Sequence, residues 1–526
     1  MYVLIAIFVV IIAGLVFGEV KWGILRTVYN PTKRSHQFIS MLAILPCLVL
    51  SGLFYAYISD PVSDPVAYPL TQGVNRYNPY IQQFDAFQKG QLFIDYEVSE
   101  ELNALDNPYD PNQRIGIYYL WDRALYDGHY YSYFGIAPIL VVYYPYYLLT
   151  GNLPSDAFVG LIFMLLITFF VPLIILELAK RILKKTPLSL LCLAMVAATF
   201  GTNVFLAARG VQPYYYIAIL SGMAFLAIFL FLFIKGLSSA KFSGFVYLFG
   251  AGIAYGLLFL SRVNMAILAI FIIVPSLLFY VFRLTNGKRI IGKKTLGLLS
   301  LATPVVITLV FSCWFNDARF SSPWDFGNSY QLTVSDVSKN TLHIKDLGLS
   351  IYYYGFQNLE LSNQYSYITF TYNTFENYDY FIYSDASMSL LVTPLMIGLL
   401  LSPFIIFNRK YSVFLRIIFP AILLGICFVA WLNFSLGGLI FRYTLDLCLI
   451  GTLTSTIGLL LIFERIRESR HKWIQYTGGG LLALLFLTSS IVSLQIALIT
   501  NGNLIVIKES VIAFLETVLP FLNLMG

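Results

Sequence analysis

NRYNPYIQQFDAFQKGQLFIDYEVSEELNALDNPYDPNQRIGIYYLWDRALYDGHYYSYFG, residues 75–135, is a long polar segment rich in acids and tyrosines. The chain around it has the opposite character. Of 526 residues, 58% are hydrophobic and only 11% are charged, and the mean hydropathy is +0.76. A soluble protein of this length cannot hide that much apolar surface. Apolar runs of about 18 residues or more recur along the chain, which is the signature of membrane-crossing helices. Membrane helices are usually joined by short turns. A loop of this size therefore points to a binding or catalytic site at the membrane surface.

Working outward from the loop, the apolar runs predict an all-α polytopic membrane protein. Twelve spans are expected, near 2–18, 37–57, 157–177, 187–206, 214–234, 243–260, 265–281, 295–314, 387–407, 417–435, 444–463 and 475–499. The first run has no basic residue before it and no small-residue cleavage site, so it reads as a retained span. The expected organisation is one membrane domain, 1–526, with a first outer loop at 58–133 and a second at 315–386. Between them, 134–150 (FGIAPILVVYYPYYLLT) is apolar but carries two prolines and four tyrosines, so it reads as an interfacial helix. Leu504–Leu524 contains Lys508, Glu509 and Glu516 and reads as interfacial too.

Charge sets the orientation. Of the 33 Lys and Arg, 22 fall in six clusters in alternate connections, among them Lys180/Arg181/Lys184/Lys185 and Arg465/Arg467/Arg470/Lys472. That side carries four acids, against 23 on the other. The positive-inside rule makes the basic side cytoplasmic and both long loops extracytoplasmic. The basic residues are spread over many short loops, so the net charge of +6 is no nucleic-acid signal. The five cysteines lie in or beside apolar runs and lack zinc-type spacing, which makes them packing residues.

Candidate chemistry gathers on the outer face. Arg209, Arg262 and Arg442 sit at span ends, and Arg319 opens the second loop. Snorkelling explains a lone arginine at a span end. Four of them suit phosphate, because a planar guanidinium gives two parallel charge-assisted bonds. Among the acids, Asp85 stands out. A helix over YIQQFDAFQKGQLF would bury Tyr80, Phe84, Phe87 and Leu92 around it, and burial raises the basicity of a carboxylate. Asp95, Asp122 and Asp127 are weaker candidates. Trp121, Tyr126, Tyr130 and Tyr131 read equally as an aromatic wall for a sugar ring or as interfacial anchors. There is no P-loop, HExxH, CxxC or EF-hand pattern. The spans hold almost no ionisable residues near their centres, unlike most ion-coupled transporters.

The stretches QFDAFQKGQLFID (83–95), NPYDPNQR (107–114), WDRALYDGHYYSYFGIAP (121–138), ARFSSPWDFGNSYQL (318–332) and FRYTLD (441–446) resemble the GT-C superfamily of integral-membrane glycosyltransferases. The likeness is greatest to bacterial relatives of the protein-mannosyltransferase and aminoarabinose-transferase families. It covers residues from about 40 to 465; the span at 2–18 is not part of the family core. It implies an inverting transfer of sugar from a polyprenyl-phosphate donor to a cell-envelope glycan, lipid or protein. It implies a catalytic carboxylate in the first loop, matched by Asp85 or by Asp60. With the outer-face residues above, the expectation is that one or more of Arg209, Arg262, Arg319 and Arg442 hold the donor phosphate and that Trp121, Asp122, Tyr131 and Asp325 bind sugar or acceptor; the bacterial relatives imply a bacterial plasma membrane location. The loop lacks the family's Asp-Glu or Asp-Asp pair. No cofactor is called for, and a divalent cation stays open, since hard-cation sites usually need more than one carboxylate. A lipid-linked glycan flippase, a polysaccharide polymerase and a non-catalytic scaffold are the alternatives.

Overall fold

A computed structural model of the chain describes residues 26–58, 67–68, 78–208, 213–239, 242–285, 293–361, 368–375 and 382–497. The expected span 2–18, the interfacial segment 504–524, Asp60 and Arg209 lie outside the described residues. Among the described residues, ten helices are long and apolar enough to cross a membrane. The chain is an all-α polytopic membrane protein.

Fourteen helices matter here. α1 is Arg34–Tyr55, α4 Asp156–Ile182, α5 Leu188–Ala207, α6 Tyr214–Ser238 and α7 Phe242–Phe259. α8 is Val263–Val281, α9 Gly297–Phe320, α12 Val413–Gly437, α13 Phe441–Ile466 and α14 Lys472–Ala497. The shorter α2, Pro79–Gln88, and α10, Asp346–Gly355, belong to the long loops. α3, Ile139–Thr150, and α11, Pro394–Ile406, are apolar but short.

α13 is the hub and is almost wholly buried. Its Gly451, Thr452, Ser455, Thr456 and Gly458 let neighbours approach closely, as small residues do in membrane bundles. Thr452 Oγ1 donates to Gly201 O of α5 at 2.8 Å. A Cβ on Gly398 of α11 would lie 2.6 Å from Ser455 O.

The expected span 387–407 is not one continuous helix. It is a series of short turns, because Pro394 and Pro403 each start a new one. These turns run the length of α13. Thr444 Oγ1, near its start, donates to Met388 O at 2.5 Å, and Arg465 Nη2, near its end, donates to Lys410 O at 2.7 Å.

The basic connections meet at one end of the bundle. Glu464 there accepts from the backbone N–H groups of Lys184 and Lys185, each at 2.6 Å, and Lys185 Nζ lies 3.1 Å from Glu468. The two long loops meet at the other end.

In the first loop, Asn78 caps α2 by accepting from Tyr80 N at 2.8 Å. Phe84 of α2 packs against Tyr144 of α3, with ring centres 4.8 Å apart and the planes tilted. An Asp127–Gly128 turn, with φ of 48° and 70°, closes a hairpin of β1 (Ala124–Tyr126) and β2 (His129–Tyr131). The second loop is sewn onto the first: Asp122 N donates to Leu332 O at 3.0 Å, and Leu332 N to Arg123 O at 2.9 Å. Past the hairpin the chain presses against the α7–α8 turn. A Cβ on Gly135 would meet Leu260 O at 2.2 Å.

Candidate functional site

A cavity of about 770 Å³ opens at the loop end of the bundle. The first loop contributes Trp121, Asp122 and Tyr133 to its wall, and the α7–α8 turn contributes Ser261 and Arg262. α9 supplies Asn316 and Arg319, the second loop Thr333 and Asp385, and the α12–α13 junction Asn433, Arg442 and Tyr443. Such a volume suits a small organic ligand or a sugar phosphate headgroup.

Three of the four arginines singled out by sequence line this one cavity, and they are not equivalent. Arg262 is committed to Asp446. Nε donates to Oδ1 at 2.7 Å and Nη2 to Oδ2 at 3.0 Å, while Asn433 Nδ2 adds a third bond to Oδ2 at 3.2 Å. Asp446 is fully buried, so this bidentate pair neutralises two charges that burial would otherwise penalise. Arg319 is committed to the scaffold. Its Nε donates to Phe315 O at 3.2 Å, Nη1 to Ser132 O at 2.9 Å and Nη2 to Asn316 Oδ1 at 2.9 Å. Its guanidinium lies 3.8 Å from the Phe315 ring centre.

Arg442 differs. Its guanidinium lies over the rings of Tyr215, at 4.6 Å, and Tyr443, at 5.6 Å. Among the described residues it has no hydrogen bond and no carboxylate within ion-pair distance. On a helix, Arg442 and Asp446 are four residues apart and would normally pair. Asp446 instead faces Arg262, which leaves Arg442 a cation held by aromatic faces with its donors open to the cavity.

Asp122 is the carboxylate whose charge acts on Arg442. Only 6% of it is exposed, and it sits at φ 56°, a left-handed conformation that aspartate tolerates. Burial raises its carboxyl above the usual carboxylate range. Arg442, a hydrogen bond from Thr333 and Arg123 pull it back down without cancelling the effect. Arg123 is itself buried, and its Nη1 donates to the backbone oxygens of Trp121 and Asp122, each at 3.1 Å. That fixes the segment carrying the carboxylate. Burial likewise keeps the Tyr133 phenol protonated, so it is a neutral donor beside Asp122.

The other candidates lie elsewhere. Asp85 is half-buried on α2, where burial raises its carboxyl against the pull of Lys89. Of the four residues expected to be buried around it, Tyr80 and Phe84 are buried and Phe87 and Leu92 are half-buried, and Asp85 does not line the cavity. Tyr131 packs on Phe320 at 5.2 Å, and Asp325 accepts from Gly327 N at 2.8 Å; neither lines the cavity. Among the described residues no three His, Cys, Asp or Glu side chains gather as a metal site. Two further carboxylates belong to the site without a local sequence signal that singles them out: Asp385 on the wall and Asp446 as the partner of Arg262. Asp446 closes the stretch FRYTLD, but its partner is 184 residues away in sequence.

No family model matches this chain, and no curated protein matches it.

Proposed function

We propose that the chain is an inverting glycosyltransferase of the GT-C kind, working on the extracytoplasmic face. It moves a sugar from a polyprenyl-phosphate donor to a hydroxyl of a cell-envelope acceptor. The observation that carries this reading is the pairing, in one cavity, of an uncommitted guanidinium and a buried carboxylate of raised basicity. That combination suits a reaction which expels a phosphate while deprotonating an alcohol.

In this reading Arg442 binds the donor phosphate. Asp122 takes the proton of the acceptor hydroxyl. The acceptor oxygen attacks the anomeric carbon from the face opposite the phosphate, forming the new C–O bond. The bond from the anomeric carbon to the phosphate oxygen breaks with its electron pair, and polyprenyl phosphate leaves. Arg442 offsets the charge that grows on that oxygen, and Arg123 holds Asp122 in place. Arg262 and Arg319 shape the wall rather than bind the phosphate directly. Asp122 thus replaces Asp85 as the preferred base, because Asp122 lines the cavity and Asp85 does not.

The test uses purified protein in lipid, a panel of polyprenyl-phosphate sugars and envelope extract. Release of polyprenyl phosphate that needs extract, and that Asp122→Asn abolishes, supports the reading. Wild-type release by Asp122→Asn would rule out its role as base.

A further inference from the structure

The segment Ile115–Trp121 turns large apolar side chains outward from the first loop. Ile115 is 78% exposed, Tyr118 58% and Trp121 44%. Tyr96 joins them at 39%, its hydroxyl 3.2 Å from that of Tyr118. The loop does not need these side chains to fold. Its core is made by Ile94, Leu102, Leu120, Leu125 and Tyr130 with Leu332 of the second loop. Exposed aromatic groups gathered in this way mark a contact surface.

Two features narrow what the surface meets. First, it is continuous with the cavity, since Trp121 belongs to both. It is also stiff. The Arg114 guanidinium, on a residue only 2% exposed, lies 4.5 Å from the Tyr119 ring centre and donates to Thr333 O at 2.6 Å. Tyr119 in turn lies 6.3 Å from Trp121. Second, among the described residues of this loop the exposed charges are mostly acids. Glu97, Glu100, Glu101 and Asp106 are all exposed on the same loop. That disfavours an anionic lipid surface or an acidic polymer. Rigid ring faces edged with hydroxyls suit the C–H faces and hydroxyls of neutral sugars.

We infer that Tyr96, Tyr118, Tyr119 and Trp121 form a track for a neutral glycan chain, whose end enters the cavity at Trp121. This rests on the transferase reading for the identity of the chain as acceptor. The track makes the protein select acceptors by length as well as by terminal sugar.

The test is direct binding of neutral glucan, mannan, galactan and arabinan oligomers of increasing length to the full chain in zwitterionic nanodiscs. At least one series should bind more tightly as it lengthens. Tyr118→Ala should weaken the longer members roughly two- to tenfold, the range for losing one aromatic stacking contact, and should flatten the length dependence. Tyr118→Phe should keep most of it. The inference is overturned if no series shows length dependence, or if Tyr118→Ala binds as wild type does. It is also overturned if Tyr118→Ala instead loses binding to phosphatidylglycerol vesicles, which would make the surface a membrane contact. Donor cleavage without a length-dependent glycan site removes this inference and leaves the transferase reading. Length-dependent binding by a chain that cleaves no donor does the reverse.

Discussion

Arg262 grips both carboxylate oxygens of Asp446, Nε to Oδ1 at 2.7 Å and Nη2 to Oδ2 at 3.0 Å. The pair ties the α7–α8 turn to α13. It also takes from Arg442 the carboxylate that helix geometry would have offered it.

Breaking that pair should cost stability first. Asp446→Asn leaves Arg262 without a counter-charge beneath the cavity, a change that typically costs about 3–5 kcal/mol for a buried pair. Thermal unfolding in detergent should show a clear drop in midpoint. Arg262→Lys should lie between, because a lysine cannot make the two-pronged contact.

Arg442 should behave oppositely. No ion pair among the described residues is lost in Arg442→Gln, so its unfolding midpoint should stay near that of wild type. Release of polyprenyl phosphate should fall by about 100- to 1,000-fold, the usual effect of removing one donor to a developing oxyanion. Arg442→Lys should recover part of the loss.

The pH dependence follows from Asp122. Its carboxyl is raised in the folded chain, so the neutral form is favoured there. As base it must be ionised, so transfer should fall as pH drops through a value above the usual carboxylate pKa of about 3.9. The stability effect has the opposite sense. The fold binds this proton more tightly than the unfolded chain does, so the contribution of Asp122 worsens as pH rises from the unfolded pKa through the folded one. Asp122→Asn should therefore raise the unfolding midpoint at neutral pH while abolishing transfer.

Gly135 tests the contact between the first loop and the α7–α8 turn. Gly135→Ala places a Cβ against Leu260 O, and backbone must move to relieve it. Overpacking of this kind costs about 1–3 kcal/mol, and the shift should also lower activity, because Tyr133, Phe134 and Arg262 border the same cavity. A lowered midpoint together with reduced release is the expected result.

Much of the fold was legible in the sequence. Long apolar runs mark the helices because no other membrane-spanning segment satisfies its own backbone. The 387–407 run misled in one respect. Hydropathy averages over Pro394 and Pro403, whereas backbone geometry does not, so the segment is a chain of short turns. The site was legible only as a list of residue types. Span-end arginines could be picked out one by one, but which of them is free depends on a pairing between Arg262 and Asp446 that no local pattern encodes. Asp85 drew notice for its apolar setting, which the structure reproduces in part: Tyr80 and Phe84 are buried, Phe87 and Leu92 half-buried. The direction in which a loop helix presents a carboxylate is a tertiary fact. Asp122 gave a weaker signal because its burial comes from the second loop, through Leu332 and Thr333.

The most direct test of the central claim is release of polyprenyl phosphate by the purified chain in lipid, supplied with a panel of polyprenyl-phosphate sugars and envelope extract. Wild type, Arg442→Gln and Asp122→Asn should be compared after each is shown to be folded. Wild type should show acceptor-dependent release, and both variants should lose it almost completely. Equal release by all three, or none by wild type with any donor, would contradict the claim.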